Sequence, residues 1–310
     1  CRGYYLKVTF VQNVGDTPST IVITNKTILM KTRFYCILVL LACSITLYAQ
    51  GYQWEKAISY REGKQNAYMK QKCLLDVYYP TDKKDFPTVV WFHGGGLTGG
   101  DREIPRELRE QGIAVVGVSY RLCAGNKDPK AINADVTTDD AVDDAAAATA
   151  WVVKNIARYG GNPSKIYLAG HSAGGYLVSM IGLDKSRLAK YGVDADSFAA
   201  LIPFSGQAIT HFQNRRDRGI SDYQPLIDEH APLYYVRKDC PPILLICGDR
   251  EREMLGRYEE NAYMWRMLKI IGHPAAYLYE LQGFDHGTMS HPAHSILLEY
   301  IRNREKEVDK

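Results

Sequence analysis

The stretch KIYLAGHSAGGY, Lys165 to Tyr176, decides how this chain is read. Its first half is apolar and β-prone. It then reaches Gly170-His171-Ser172-Ala173-Gly174 and continues into a helix-compatible run, Tyr176 to Ile181. That is the strand, sharp turn and helix context a Gly-x-Ser-x-Gly motif requires. The turn forces its serine into a strained backbone conformation, and glycine on both sides lets strand and helix approach closely. Ser172 would stand exposed at the carboxyl end of a central strand. The plain alternative is a passive serine in a Gly-rich turn.

Two further stretches bear on that choice. Phe86 to Phe92, FPTVVWF, reads as a buried strand, and His93-Gly94-Gly95-Gly96 follows it. A glycine run after a strand lets backbone N–H groups point into a cleft, where they can hold a developing oxyanion. Downstream, His286 lies in Gly283-Phe284-Asp285-His286-Gly287, after the expected strand Ala275 to Leu281.

On these residues the chain resembles the α/β-hydrolase esterases and lipases that carry HGGG and GHSAGG, near the hormone-sensitive-lipase-like and carboxylesterase group. The resemblance runs from about Leu74 to Tyr300. It takes in Val118 to Leu122 (VSYRL), Ala145 to Trp151 (AAAATAW), Tyr159 to Pro163 (YGGNP) and the Pro-Pro, strand, Gly-Asp run near Pro241. It implies a mostly parallel central sheet with helices on both faces, and the chain order serine, acid, histidine. Ser172 would be the nucleophile and His286 its base. The Ala173 N–H, with Gly95 and Gly96, would form the oxyanion hole, and Gly94 would set the turn. The acid is expected after the strand Ile243 to Cys247, in Gly248-Asp249-Arg250-Glu251-Arg252-Glu253. The group's usual spacing selects Glu251. Asp249 is the second candidate, since Asp is the commoner acid; the carboxylate not used would brace the loop. Glu253 is expected to begin the next exposed stretch. Neither a metal nor an organic cofactor is required by this chemistry.

Alternating strand and helix signals along the rest of the chain agree with an α/β sheet. The long helix expected over Asp135 to Tyr159 carries its acids early and Lys154 and Arg158 late, which suits the helix dipole. A short helix is expected over Ile104 to Gln111, and an edge hairpin over Gln50 to Gln71. Residues 207–239 are less regular and would form a small lid or an ordinary surface excursion.

The 310 residues suit one catalytic domain, 50–310, plus a leader. Met30-Lys31-Thr32-Arg33 opens a basic stretch, Cys36 to Leu47 is a short apolar run, and Ala49 precedes Gln50. These are the parts of a secretory signal peptide, 30–49, with cleavage expected after Ala49 and export to the periplasm or medium. Leu41-Ala42-Cys43 offers a second, lipoprotein-like cleavage. Residues 1–29 would be an upstream extension from a misplaced start. After cleavage no stable membrane insertion is expected. The net charge of +3 is small, and the absence of a basic stripe argues against a nucleic-acid partner. Four of the seven cysteines fall in 50–310, and no Cys/His spacing resembles a zinc site. In this fold the start of the Leu74 strand would lie beside the end of the strand at Tyr120. Cys73 and Cys123 could therefore form a disulfide or remain thiols.

The expectation is an exported serine carboxylesterase acting through an acyl-enzyme, on an acetyl or feruloyl ester of a plant polysaccharide or glycan. An amidase or peptidase of the same fold and a catalytically dead binding protein are the competing readings. The presence of both Ser172 and His286 counts against the last.

Overall fold

Strands of five to eleven residues assemble into one sheet whose inner strands are buried and whose edges, the first and last strands, are largely open to solvent. The computed structural model describes residues 51–125, 130–254 and 256–308, excluding the side chains of 307 and 308. The expected signal peptide, the expected upstream extension and the cleavage site at Ala49 lie outside the described residues. Among those described, eight strands follow the chain as β1 (Tyr52–Ser59), β2 (Leu74–Pro80), β3 (Phe86–Phe92), β4 (Ala114–Val118), β5 (Gly161–His171), β6 (Ala200–Phe204), β7 (Ile243–Gly248) and β8 (Ala276–Leu281). Their spatial order is β1-β2-β4-β3-β5-β6-β7-β8. β1 and β2 run antiparallel to their neighbours, and the six strands from β4 to β8 are parallel.

Period-two alternation divides the strands between two cores. Val90 and Phe92 of β3, Val116 and Val118 of β4, Ile166 and Leu168 of β5 and Leu245 of β7 face one layer. Helices α2 (Thr138–Tyr159) and α3 (Ala173–Leu183) fill that layer, joined by Met264 and Leu268 of α6 (Arg257–Ile270). Val89 and Trp91, Val115, Tyr167, Leu244 and Ile246 face the other, where α7 (Ser290–Val308) contributes Met289's neighbours Ala293, Leu297 and Ile301. Three short helices complete the set: α1 (Ala67–Lys72), α4 (Lys185–Ala189) and α5 (Phe212–Asp217). Among the described residues no helix is long and apolar enough to cross a membrane.

This is the expected α/β-hydrolase layout, with local differences. The edge hairpin is one strand, β1, followed by α1, because Asn66 caps a helical turn through its side chain and the Met69 N–H. The helix expected from Ile104 shrinks to a 3₁₀ turn, Arg106–Leu108. Just before it the chain lies directly on β4: a Cβ at Gly117 would stand 2.2 Å from the Glu103 carbonyl oxygen. α2 begins at Thr138 rather than Asp135, fixed by a capping box between Thr137 and Asp140, and ends at Gly160 in the left-handed region (φ 99°).

The antiparallel pairing of β2 with β4 is as expected, yet Cys73 and Cys123 are both buried free thiols. The register sets Leu75 against Val118, so Cys123 lies beyond the point where it would face Cys73. Its N–H binds the Leu97 carbonyl at 2.8 Å, and its thiol meets Thr138, whereas the Cys73 thiol meets Tyr60.

Asp144, on α2 and fully buried, ties this helix to the antiparallel edge of the sheet. Its carboxylate accepts from Arg121 Nε at 2.8 Å, Arg121 Nη2 at 2.9 Å, the Arg121 N–H at 2.9 Å and Arg61 Nε at 3.0 Å. Removing one member of such a buried ionic cluster strands the others' charge. Asp144→Asn is expected to cost about 3 kcal/mol of folding free energy, read as a lowered midpoint in urea denaturation.

Candidate active site

The parallel order reverses direction between β3 and β5, which is where α/β sheets open a crevice beyond their carboxyl ends. Phe92 of β3 pairs with Gly170 of β5. The His93 loop and the Ser172 turn therefore leave the sheet side by side. Ser172 has φ 55° and ψ −113°, a conformation that costs on the order of 1–3 kcal/mol in a non-glycine residue. Its N–H donates to the Phe204 carbonyl at 2.8 Å, and its own carbonyl accepts the Tyr176 N–H at 3.0 Å. The glycines around it are steric necessities. A Cβ at Gly174 would lie 2.0 Å from the Phe92 oxygen, and one at Gly170 would lie 2.7 Å from the Gly174 carbonyl carbon.

His286 reaches this serine from the loop after β8. Its Nε2 is 2.8 Å from Ser172 Oγ. Its Nδ1 is 2.8 Å from Glu253 Oε2. Sequence reasoning thus placed Ser172 and His286 in the same pocket but mistook the third member. The carboxylate on His286 belongs to Glu253, not to Glu251 or Asp249. The reason is a tight turn: the N–H groups of Arg252 and Glu253 both donate to the Asp249 carbonyl at 2.8 Å. The turn folds Glu253 back beneath β7, where its Oε1 accepts the Gly248 N–H at 3.0 Å and the Ser205 hydroxyl. Met254 N–H donates to Oε2 at 3.0 Å. Glu251 points to solvent. Asp249 is the loop brace, accepting from the Gly283 N–H at 2.7 Å and the Glu251 N–H at 3.0 Å.

The Glu253 side chain is fully shielded from solvent. Burial works against its ionisation, but hydrogen bonds from His286, Ser205 and Gly248 overcome that and hold the carboxyl at about 2. It is therefore ionised at neutral pH and can orient the imidazole through Nδ1–H.

Gly94, Gly95 and Gly96 pass close to the serine. A Cβ at Gly94 would be 3.5 Å from Ser172 Cβ, and Gly95 and Gly96 have φ 109° and 63°. The Gly95 carbonyl is turned back to accept the Thr98 and Gly99 N–H groups, at 3.1 and 3.0 Å. Among the described residues no backbone acceptor engages the N–H of Gly95, Gly96 or Ala173. His93 props the loop from below. It stacks on Tyr120 at 4.3 Å, and Tyr120 donates its hydroxyl to the His93 carbonyl at 2.8 Å.

Three residues at this site were not singled out from the sequence as parts of it. His171, next to the nucleophile in the chain, donates its Nε2–H to the His286 carbonyl at 2.7 Å. Burial, with the neighbouring His286 adding to it, brings His171 down to about 4, so it is a neutral donor. Ser205 braces Glu253 from the end of β6. Arg257 is buried and donates Nη1 to the Ser205 carbonyl. Their only signal is position, each standing at the carboxyl end of a central strand or just past the acid loop. Of the other histidines, His211, His273 and His294 are buried and His291 is exposed.

A nucleophile, a base and a buried acid in hydrogen-bonded series, facing open backbone N–H groups, can perform acyl transfer. The family model of BD-FAE matches residues 75–256. Among curated proteins, the chain is 35% identical over 149 residues to a cocaine esterase of Oryctolagus cuniculus, covering 44% of this chain and 27% of that one. It is 33% identical over 169 residues to Esterase-5A of Drosophila pseudoobscura pseudoobscura, covering 51% and 28%. The match thus spans about a quarter of the length of these curated relatives. Among solved structures, a truncated carbohydrate esterase from gut microbiota superposes with TM-score 0.65 at 16% identity, over 83% of this chain and 98% of that one. Esterase B from Lactobacillus rhamnosis gives 0.63 at 21% identity, over 92% and 98%. Both likenesses establish the α/β-hydrolase fold. With the family model covering more than half of its residues, the chain belongs to the BD-FAE family.

Proposed function

We propose that the protein is an exported serine carboxylesterase that cleaves an acetyl or feruloyl ester on a plant polysaccharide or other glycan. The observation that carries the reaction is the unbroken series Glu253 Oε2, His286 Nδ1 and Nε2, Ser172 Oγ, with both links at 2.8 Å. His286 Nε2 takes the Ser172 proton as Oγ attacks the ester carbonyl. The resulting oxyanion is met by the N–H of Ala173 and those of Gly95 and Gly96, which are fixed before substrate arrives. Collapse of the intermediate expels the alcohol, protonated by His286, and leaves an acyl-Ser172. Water then attacks this ester with His286 again as base, releasing the acid and restoring the serine. Glu253 remains ionised throughout, holding the ring and stabilising the imidazolium. The glycan part of the reading is supported by the carbohydrate esterase among the structural likenesses, and the export part by the signal-like segment 30–49.

Ser172→Ala is expected to fold normally and lose roughly 10⁴-fold in turnover of p-nitrophenyl acetate. Glu253→Gln is expected to lose roughly 10²-fold or more, because the imidazolium loses its partner. Glu251→Gln should turn over like the unaltered protein, and Asp249→Asn should affect stability more than turnover. A silent Glu253→Gln beside an inactive Glu251→Gln would overturn the assignment.

The same carboxylate predicts an acid limb. The folded-state value of about 2 lies below the ordinary 4.5, so the folded chain binds fewer protons than the unfolded chain between them. The stability this contributes is complete above pH 4.5 and is lost as the pH falls toward 2. Melting temperatures of Glu253→Gln should fall less steeply than those of the parent over that window.

The substrate is tested with acetylated and feruloylated oligosaccharides alongside simple aryl esters. Higher kcat/KM on one of the oligosaccharide classes is expected; hydrolysis of the aryl esters alone would overturn the glycan assignment.

A further inference from the structure

A second pocket opens beside the triad, and its walls are rich in arginine. Arg215, Arg216 and Arg257 line it with Gln207, Asp222 and Tyr223, and Met254 and Phe212 close its sides. It adjoins the machinery at two points. Phe212 is the residue a Cβ at Gly96 would strike, at 2.9 Å from Cζ. Met254 directly follows the acid and donates its N–H to it.

Arg257 is the unusual member. It is 3% exposed, and among the described residues it makes no ion pair within 4.0 Å. Its Nε has no hydrogen-bond partner there, and its Nη1 reaches only the neutral Ser205 carbonyl. Glu260 and Glu253 lie close enough to favour its charge, but neither bonds the guanidinium: Glu253 bonds His286, and Glu260 accepts the Ala208 N–H at 3.0 Å. A buried guanidinium with an unmade hydrogen bond and no direct ion pair is costly. The other two guanidiniums do not lower that cost. Arg216 pairs with Asp222. Arg215 is bound to the neutral carbonyls of Thr210, Asp222 and Gln224. Three arginines and one aspartate thus line the pocket wall. His211, packed alongside, is pushed well below its ordinary value by burial and then by all three guanidiniums. That is the response of a neutral group in a positive field.

The geometry points to an anion subsite: the pocket receives a carboxylate carried by the substrate away from the scissile ester, with Arg257 as its charge partner. The inference rests on the esterase reading for its link to turnover. The substrate class it names is an ester of a carboxylate-bearing molecule, such as an acidic sugar or an aromatic acid. Binding the anion would give Arg257 the direct charge-assisted bond its Nε lacks, and would fix the substrate through that bond as well as through the acyl group.

The matched pair 4-acetoxybenzoate and methyl 4-acetoxybenzoate tests this, since the two differ in one charge. The expected result is a kcat/KM about tenfold higher for the anion, as one charge-assisted bond gives, and loss of that preference in Arg257→Met. Equal or reversed preference in the parent protein would overturn the subsite while leaving the esterase reading intact. If neither ester is cleaved, the esterase reading fails on these substrates and binding decides the subsite. Sodium benzoate should raise the melting temperature of the parent above that in sodium chloride of equal ionic strength, and should not do so in Arg257→Met. No difference between the salts in the parent would overturn the proposal. Should Arg257→Met not fold, Met254→Glu supplies the contrast from the exposed rim. Its carboxylate would occupy the pocket and abolish both effects, and their survival would count against the subsite.

Discussion

Among the described glycines the one with least room for a side chain is Gly174, where an added Cβ would sit 2.0 Å from the Phe92 carbonyl oxygen. Everything catalytic is hung on this contact. It lets α3 start almost on top of β3, so that the helix's first N–H groups and the Gly94 to Gly96 loop converge on one point. It also forces Ser172 into positive φ, and the strain is held by the Phe204 carbonyl on one side and the Tyr176 N–H on the other. A larger residue at Gly174 would separate helix from sheet. The serine could then relax, and the site would lose its geometry without losing any of its functional side chains.

The acid shows how differently the two halves of the site are encoded. Ser172, His286 and the Gly loop are legible because local sterics dictate them: glycines at fixed offsets, at strand ends, in chain order. Residues 248–254 carry several carboxylates in polar company, and local rules do not distinguish them. What distinguishes them is the backbone turn over Asp249, which moves the choice to Glu253, and the Gly248 N–H and Ser205 hydroxyl waiting to receive it. Ser205 comes from β6, forty-odd residues upstream, so no window of sequence around the loop contains the deciding partner. The same holds for His171: its neighbour's identity was plain, but its hydrogen bond runs to a carbonyl 115 residues away.

The strands were legible for the opposite reason. β3, β4, β7 and the Ile166 to Gly170 half of β5 are buried runs whose alternate residues feed two separate cores, so burial on both faces fixes them whatever their partners. The parts that differed from expectation are those with one exposed face. Around Gln50 to Gln71 and Ile104 to Gln111, single capping or contact events, Asn66 in the first and the approach of Glu103 to Gly117 in the second, outweigh propensity. The missing disulfide belongs here too. The strands pair as expected, but Cys123 lies three residues past the position that would face Cys73, where its thiol meets Thr138.

The bond from His171 to the carbonyl of His286 splices the two reacting segments together. His171 is covalently adjacent to the nucleophile, and it grips the backbone of the base rather than its ring. The loop that carries His286 therefore cannot drift from the elbow without breaking that grip, while the ring itself is held by Glu253 at Nδ1. Nucleophile and base are thus tied together twice, once through the proton-transferring side chains and once through this backbone contact.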